Sequence, residues 1–146
     1  MKIPPRRRAR ELALQGLYQW QLNHSSPAQL LANVAELEHF EAADQEFLRA
    51  EVGGIVSEFT ALRALLEPLV TRKWDEVSPV ERSILLIGAW ELVHALEIPY
   101  RVAINECIEL AKRFGGTDGH KFVNGVLDKL AAQARPDEFK PRTRIA

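Results

Sequence analysis

Histidine, cysteine and paired carboxylates, the groups that most often carry catalysis or bind metals, form no recognisable site in this sequence. The four histidines, His24, His39, His94 and His120, have no cysteine or carboxylate at ligand spacing. There is no GxSxG motif, no Cys/His pair and no carboxylate pair in an apolar setting. The stretch GGTDGHK lacks the spacing of a phosphate loop, although its backbone amides can bind an anion weakly. We therefore predict a protein that is not an enzyme and that needs neither a metal nor a cofactor.

The strongest chemical signal is a group of cations at the N-terminus. Five positive charges and no acid lie within the first ten residues, contributed by Lys2, Arg6, Arg7, Arg8 and Arg10. The whole chain has a net charge of -1, so the rest of the chain carries -6. One basic end on an otherwise acidic protein indicates a local site for a polyanion. Four arginines in five positions repel one another unless an anion neutralises them.

An aromatic residue shares the helix with these arginines. A helix is predicted from about Pro5 to Leu22, and one of its faces carries Arg7, Glu11, Leu14 and Tyr18. Guanidinium groups for phosphates and an aromatic plane for base stacking are what single-stranded RNA requires. The alternative is that Leu14 and Tyr18 pack against a second neighbour in a helical bundle.

A second candidate surface lies in residues 99–130, where two helices are predicted to meet across a glycine turn. Gly115-Gly116 is expected to end the first of them in the left-handed conformation, and Thr117 or Asp118 to cap the second. At about 100° per residue, Phe122 falls roughly a quarter turn from the apolar stripe of the second helix and beside Lys121, Gly125 and Lys129. Phe122 therefore either faces a partner or packs against a neighbouring helix or loop.

The remaining pattern is helical throughout, and no strand pattern occurs. Helices are predicted for about 27–40, 44–69 and 78–96, the last apolar almost all round and so central. Ser26 and Ser78 each precede a proline and begin a capping box. Residues 135–146 have two prolines and no periodicity, which predicts a frayed, flexible tail. The 146 residues are expected to form a single all-α domain, with an N-terminal lobe at about 4–72 and a C-terminal lobe at about 73–134.

Composition limits the surroundings of the protein. The single cysteine, Cys107, excludes an internal disulfide, fits a reducing cytoplasm and is expected to be a small buried hydrophobe. No run approaches the roughly 20 apolar residues of a membrane span, and charged helix rather than an apolar signal segment follows the basic N-terminus. We expect a cytoplasmic protein.

Three segments resemble the bacterial NusB family of transcription antitermination factors. They are RRRARELALQGLYQWQL at 6–22, PYRVAINECIELAKRFG at 99–115 and HKFVNGVLDKL at 120–130. The resemblance runs through the whole chain and is weakest from about Ser25 to Asp75, where only helical pattern is visible. Cys107 stands where the family more often has alanine.

The resemblance implies a NusB-like bundle of about seven helices in two packed three-helix lobes. It also implies a non-enzymatic adaptor that binds boxA RNA of ribosomal RNA operons together with ribosomal protein S10 (NusE), alongside other Nus factors and RNA polymerase. With the geometry above, the predicted RNA-binding residues are Lys2, Arg6, Arg7, Arg8, Arg10, Tyr18, Lys121 and Phe122. The predicted S10-facing residues are Asp118, Lys121, Phe122 and Lys129.

Two other functions remain open at this point. One is an RNA-targeting module related to ribosomal-RNA cytosine methyltransferases, whose N-terminal domain resembles NusB. Against it, the 146 residues contain no Rossmann-like segment that would bind S-adenosylmethionine. The other is a stand-alone helical homodimer whose basic end contacts its partner.

Overall fold

The fold is built around one helix that is apolar almost all round. In a computed structural model, which describes residues 2–140, this helix is α5 (Pro79–His94). The others in that range are α1 (Pro5–Asn23), α2 (Pro27–Ala35), α3 (Gln45–Ser57), α4 (Phe59–Leu66), α6 (Tyr100–Phe114) and α7 (Gly119–Ala134). Short 3₁₀ turns occupy Phe40–Ala42, Glu67–Leu69 and Trp74–Glu76. The prediction of an all-α bundle of about seven helices is confirmed.

Helix α5 holds the bundle together because it contacts elements on all sides. It packs against α1, α3 and α4 on one side and against α6 and α7 on the other. Its residues from Ser83 to Ala89 are all buried. Ser78 begins the helix as predicted, since its hydroxyl accepts from the Glu81 amide and donates to the Glu81 carboxylate. Helices α1, α2 and α3 contact one another, as do α5, α6 and α7, while the predicted limits of the two lobes stay a prediction.

The single long helix predicted for 44–69 is wrong, because the chain breaks at Glu58 between α3 and α4. Helix α3 packs on α1 and α5, whereas α4 packs on α5 and α7. One straight helix cannot follow both sets of neighbours, and a heptad seam also drifts around a straight helix. Gly54 allows a close approach, because a Cβ there would overlap the indole ring of Trp90. The helix predicted for 27–40 also ends earlier, at Ala35.

The turn between α6 and α7 differs from the predicted one. Neither Gly115 nor Gly116 is left-handed, and the residue with positive φ is Asp118, at 64°. Gly115 is required for a different reason, since a Cβ there would lie 2.7 Å from the Ala111 carbonyl oxygen. Neither Thr117 nor Asp118 caps α7 through its side chain, because Asp118 is the N-cap residue and makes no side-chain capping bond.

Residues 135–140 pack against the bundle, whereas the sequence predicted a frayed tail there. The buried guanidinium of Arg135 donates to the carbonyl oxygens of four residues, Glu91, Leu92, Ala95 and Ile98. Glu138 accepts from the Tyr100 amide at the start of α6, and the Phe139 ring packs against Tyr100. A guanidinium offers five donors, and the last carbonyls of a helix lack partners, so Arg135 closes the end of α5. The remainder of the predicted tail, 141–146, lies outside the described residues.

Candidate nucleic-acid interface

The arginines of α1 are each paired with a carboxylate of the protein itself. The pairs are Arg6 with Asp44 at 3.7 Å, Arg7 with Glu106 at 3.0 Å, Arg8 with Glu11 at 2.9 Å and Arg10 with Glu91 at 2.8 Å. Carboxylates of the protein itself therefore supply the anions that the four neighbouring arginines were expected to need. Arg6 and Arg7 remain about half exposed, so they can still exchange partners with a phosphate. Lys2 is also exposed.

Arg10 belongs to the interior. Its side chain is 3% exposed and donates to both oxygens of Glu91 on α5, which is fully buried. Burial disfavours the charged guanidinium, but the hydrogen bonds and negative charge of Glu91 outweigh that effect and raise the pKa of Arg10. A residue this buried presents no surface to RNA, so we remove Arg10 from the RNA-binding set.

A second carboxyl group, Glu51 on α3, lies beside this pair. It is fully buried, and neither of its oxygens has a hydrogen-bond partner among the described residues. Burial first, and the negative charge of Glu91 second, raise the pKa of Glu51 well above its ordinary value. Both effects favour the protonated, neutral form of Glu51 beside the Arg10–Glu91 pair.

Replacing Glu51 with glutamine should stabilise the protein at neutral pH. At pH values between the ordinary pKa of a carboxyl group and the raised pKa of Glu51 in the folded protein, Glu51 keeps a proton that it loses in the unfolded chain. Stability therefore falls as pH rises, by about 1.4 kcal/mol per pH unit over that window. Urea unfolding measured from about pH 5 upward should show this slope in the native sequence and a flatter one in Glu51→Gln. The exposed control Glu76→Gln should keep the slope, and an unchanged slope in Glu51→Gln would refute a neutral Glu51.

The α1 face that carries Arg7, Glu11, Leu14 and Tyr18 is charged at one end and apolar at the other. Glu11 accepts from Arg8 and also from Arg113 at the end of α6, which ties α1 to α6. Leu14 is buried, whereas Tyr18 remains 38% exposed. Tyr18 lines a largely apolar groove of about 320 Å³, together with Leu14, Gln15, Gln19, Leu37, Val80 and Phe114. Exposed aromatic rings here are suited to stacking on bases.

Sequence reasoning missed the basic end of α6. Lys112 and Arg113 line a pocket with Arg7, and the Arg113 guanidinium lies 5.1 Å from the centre of the Phe114 ring. The available signal was their position on the polar side of the predicted helix. The pairing of Arg113 with Glu11 on α1, 102 positions earlier in the chain, has no sequence signal.

The surface around Phe122 is less open than the helix geometry predicted. Phe122 is half-buried and packs against the core, and the Arg72 guanidinium covers its ring at 4.4 Å. Asp118 and Lys121 are exposed and paired at 3.3 Å, and Lys129 is exposed. Phe122 thus packs against its own chain, on the core and on Arg72, and a partner at its remaining exposed surface stays a prediction.

The two surfaces adjoin each other. Val80 lines the groove beside Tyr18, and the next residue, Glu81, pairs with Arg72 at 3.6 Å. Arg72 in turn covers Phe122. Arg72 and Glu81 therefore connect the two candidate sites, and the sequence alone gave no indication of this contact.

Other kinds of site are not supported by residues 2–140. They contain no group of three or more histidine, cysteine, aspartate or glutamate residues that could hold a metal ion. None of their helices is long and apolar enough to cross a membrane. Cys107 is fully buried as predicted, and burial raises the pKa of its thiol well above the ordinary value.

Comparison with known proteins gives a consistent result. Residues 7–132 match the family model described as the NusB family. The chain is 53% identical to the transcription antitermination protein NusB of Cupriavidus pinatubonensis over 144 residues, covering 97% of this chain and 86% of that protein. It is 51% identical to the Burkholderia ambifaria protein of the same name over 142 residues, covering 97% and 98%.

Solved structures give the same fold. A structure of T. maritima NusB superposes with a TM-score of 0.81 at 30% identity, covering 95% of this chain and 99% of that one. A chain from a crystal structure of the antitermination factors NusB and NusE in complex with dsRNA gives a TM-score of 0.76 at 25% identity, covering 87% and 96%.

Proposed function

The chain belongs to the NusB family, and on that premise we propose that it binds boxA RNA of ribosomal RNA operons together with ribosomal protein S10 (NusE). In this proposal it is a non-enzymatic adaptor in the cytoplasm, and the protein–RNA assembly joins other Nus factors on RNA polymerase to suppress termination. The related crystal structure of NusB and NusE with dsRNA supports both an RNA and a protein partner.

One observation carries the RNA half of the proposal: cations and exposed aromatic rings share one continuous face of α1 and α6. Arg7, Lys112 and Arg113 line its charged end, and Tyr18 and Phe114 line its apolar end. Phosphate contacts supply affinity without sequence preference, and stacking adds affinity for unpaired bases. The proposed RNA contacts are Lys2, Arg6, Arg7, Arg8 and Tyr18, with Lys121 and Phe122 at the edge next to S10.

The S10 half rests on the start of α7. Asp118, Lys121 and Lys129 expose charges of both signs around the half-buried ring of Phe122. A central aromatic residue with a polar rim is a common arrangement in protein interfaces. Because Arg72 and Glu81 connect this surface to the groove, S10 bound there would lie next to the RNA and could share contacts with it.

The test is fluorescence anisotropy of a labelled boxA RNA titrated with the protein, with and without S10, at two salt concentrations. We expect S10 to tighten RNA binding by roughly 5- to 150-fold, a coupling of about 1–3 kcal/mol. Affinity should fall steeply with added salt, because phosphate contacts release counterions. Absence of RNA binding with and without S10 would refute the proposal. Light scattering with and without RNA would then test the alternative of a stand-alone homodimer.

Replacing Phe122 with aspartate should abolish or strongly weaken S10 binding. The ring would be lost from the centre of the proposed interface, and a carboxylate would take its place beside Arg72. Loss of a central aromatic residue typically weakens binding by at least about 2 kcal/mol, or roughly thirtyfold. Isothermal titration calorimetry with S10 would measure the loss.

The matched control is Phe114→Asp, which removes a ring from the end of α6, outside the proposed S10 surface. This variant should keep its S10 affinity. Circular dichroism must show that both variants are folded, because Phe122 also packs against the core. A folded Phe122→Asp variant with unchanged S10 affinity would remove Phe122 from the interface.

A further inference from the structure

Arg7 on α1 binds Glu106 on α6 through the same two-bond geometry by which a guanidinium binds a phosphate. Arg7 Nε donates to one Glu106 oxygen at 3.0 Å, and Arg7 Nη2 donates to the other at 3.2 Å. The same two-pronged edge of a guanidinium is the one that binds two oxygens of a phosphate. Glu106 therefore occupies the part of Arg7 that an RNA phosphate would use.

Arg7 differs in this respect from the other arginines of α1. The Arg6 pair with Asp44 is long at 3.7 Å, and Arg10 is buried. Arg8 shares the buried Glu11 with Arg113. Arg7 thus combines an exposed guanidinium, at 47%, with a fully formed two-bond partner.

The partner is also well anchored. The Glu106 side chain is only 17% exposed and projects from the middle of α6, whereas Arg7 lies near the free end of α1. The hydrogen bonds and charge of Glu106 raise the pKa of Arg7, and Glu109 on the same helix adds to that effect. Glu109 itself makes a looser pair with Lys112, at 3.8 Å.

We infer that Glu106 is an internal competitor of RNA phosphate for Arg7, which the RNA must displace to bind. This inference rests on the proposed function, in which α1 contacts RNA. Its consequence is weaker binding of any RNA that relies on phosphate contacts alone, since such contacts carry no sequence information. An RNA with additional base contacts meets the same competition at Arg7 but has further affinity from those contacts, so Glu106 lowers the affinity of both kinds of RNA by a similar factor.

The experiment is a mutant cycle measured by anisotropy with a labelled boxA RNA and with a scrambled RNA of the same length. The variants are Glu106→Gln, Arg7→Gln, the double variant and Glu109→Gln. Glutamine keeps the shape of the side chain, removes the charge and replaces one acceptor oxygen by an NH2 donor, so it cannot form the two-bond pair with Arg7. Because an exposed ion pair is weak, Glu106→Gln should tighten binding of both RNAs by roughly two- to fivefold. In the Arg7→Gln background, Glu106→Gln should change RNA affinity by no more than Glu109→Gln does.

Three results would overturn the inference. A general charge effect would be shown if Glu109→Gln tightened RNA binding as much as Glu106→Gln does. It would also be shown if Glu106→Gln tightened RNA binding equally with and without Arg7. Weaker RNA binding by a folded Glu106→Gln would show that Glu106 positions Arg7 for RNA and does not compete with it. Unchanged affinity would show no competition, and Glu106→Ala repeats the test should Glu106→Gln fail to fold. The proposed function fails separately, if the native sequence binds no boxA RNA with or without S10. If the native sequence binds but Arg7→Gln binds equally well, only the inference about Arg7 and Glu106 fails.

Discussion

Replacing Arg10 with alanine is expected to lower the free energy of unfolding by about 3–5 kcal/mol, the usual effect of removing one partner of a buried ion pair. Arg10 is 3% exposed, and its loss leaves the carboxylate of the fully buried Glu91 without its ion-pair partner. Urea denaturation followed by circular dichroism would measure the change. Any loss of RNA binding in this variant would follow from unfolding and not from a lost phosphate contact.

The control for Arg10 is the double change Arg10→Met with Glu91→Leu. Apolar residues of similar volume often replace a buried ion pair without loss of stability. We expect this variant to unfold near the denaturant concentration of the native sequence and to bind boxA RNA within about twofold of it. Stable folding with strongly reduced RNA affinity would return Arg10 to the RNA-binding surface.

Replacing Arg7 with glutamate is expected to weaken boxA RNA binding at least about tenfold at low salt, or about 1.4 kcal/mol. The change removes one phosphate contact and places a second carboxylate next to Glu106. The slope of log affinity against log salt should fall by about one, because one fewer counterion is released. The fold should persist, since the Arg7–Glu106 pair is exposed on the arginine side.

Arg63→Glu is the matched control for Arg7→Glu. Arg63 on α4 also pairs with a glutamate, Glu67, and has a similar exposure of 39%. The two variants therefore lose the same type of ion pair and gain the same charge. Arg63→Glu should change RNA affinity by less than about threefold, an effect of long-range charge alone. Equal losses in the two variants would show that the overall charge, and not a site at Arg7, determines RNA binding.

The sequence predicted most elements of this fold because local signals determine them. Ser26 and Ser78 cap α2 and α5 as their motifs indicate, since a capping bond spans only three residues. The absence of polar residues on most of α5 predicted its central position. The errors arose where distant neighbours decide. The break at Glu58 depends on which helices α3 and α4 pack against. The packing of residues 135–140 depends on carbonyl groups at the end of α5 that have no partner within the helix.

The candidate site divides in the same way. The helical class, the positive charge at one end and the presence of Tyr18 on the helix of these arginines can all be read from the chain, because composition and helical periodicity are local properties. Which arginines remain available depends on contacts between helices that are distant in the chain. Arg7 meets Glu106 across 99 positions and Arg10 meets Glu91 across 81, and one of these pairs is exposed while the other is buried. Identical side chains three positions apart thus have different roles, because the fold gives each a different environment and a different partner.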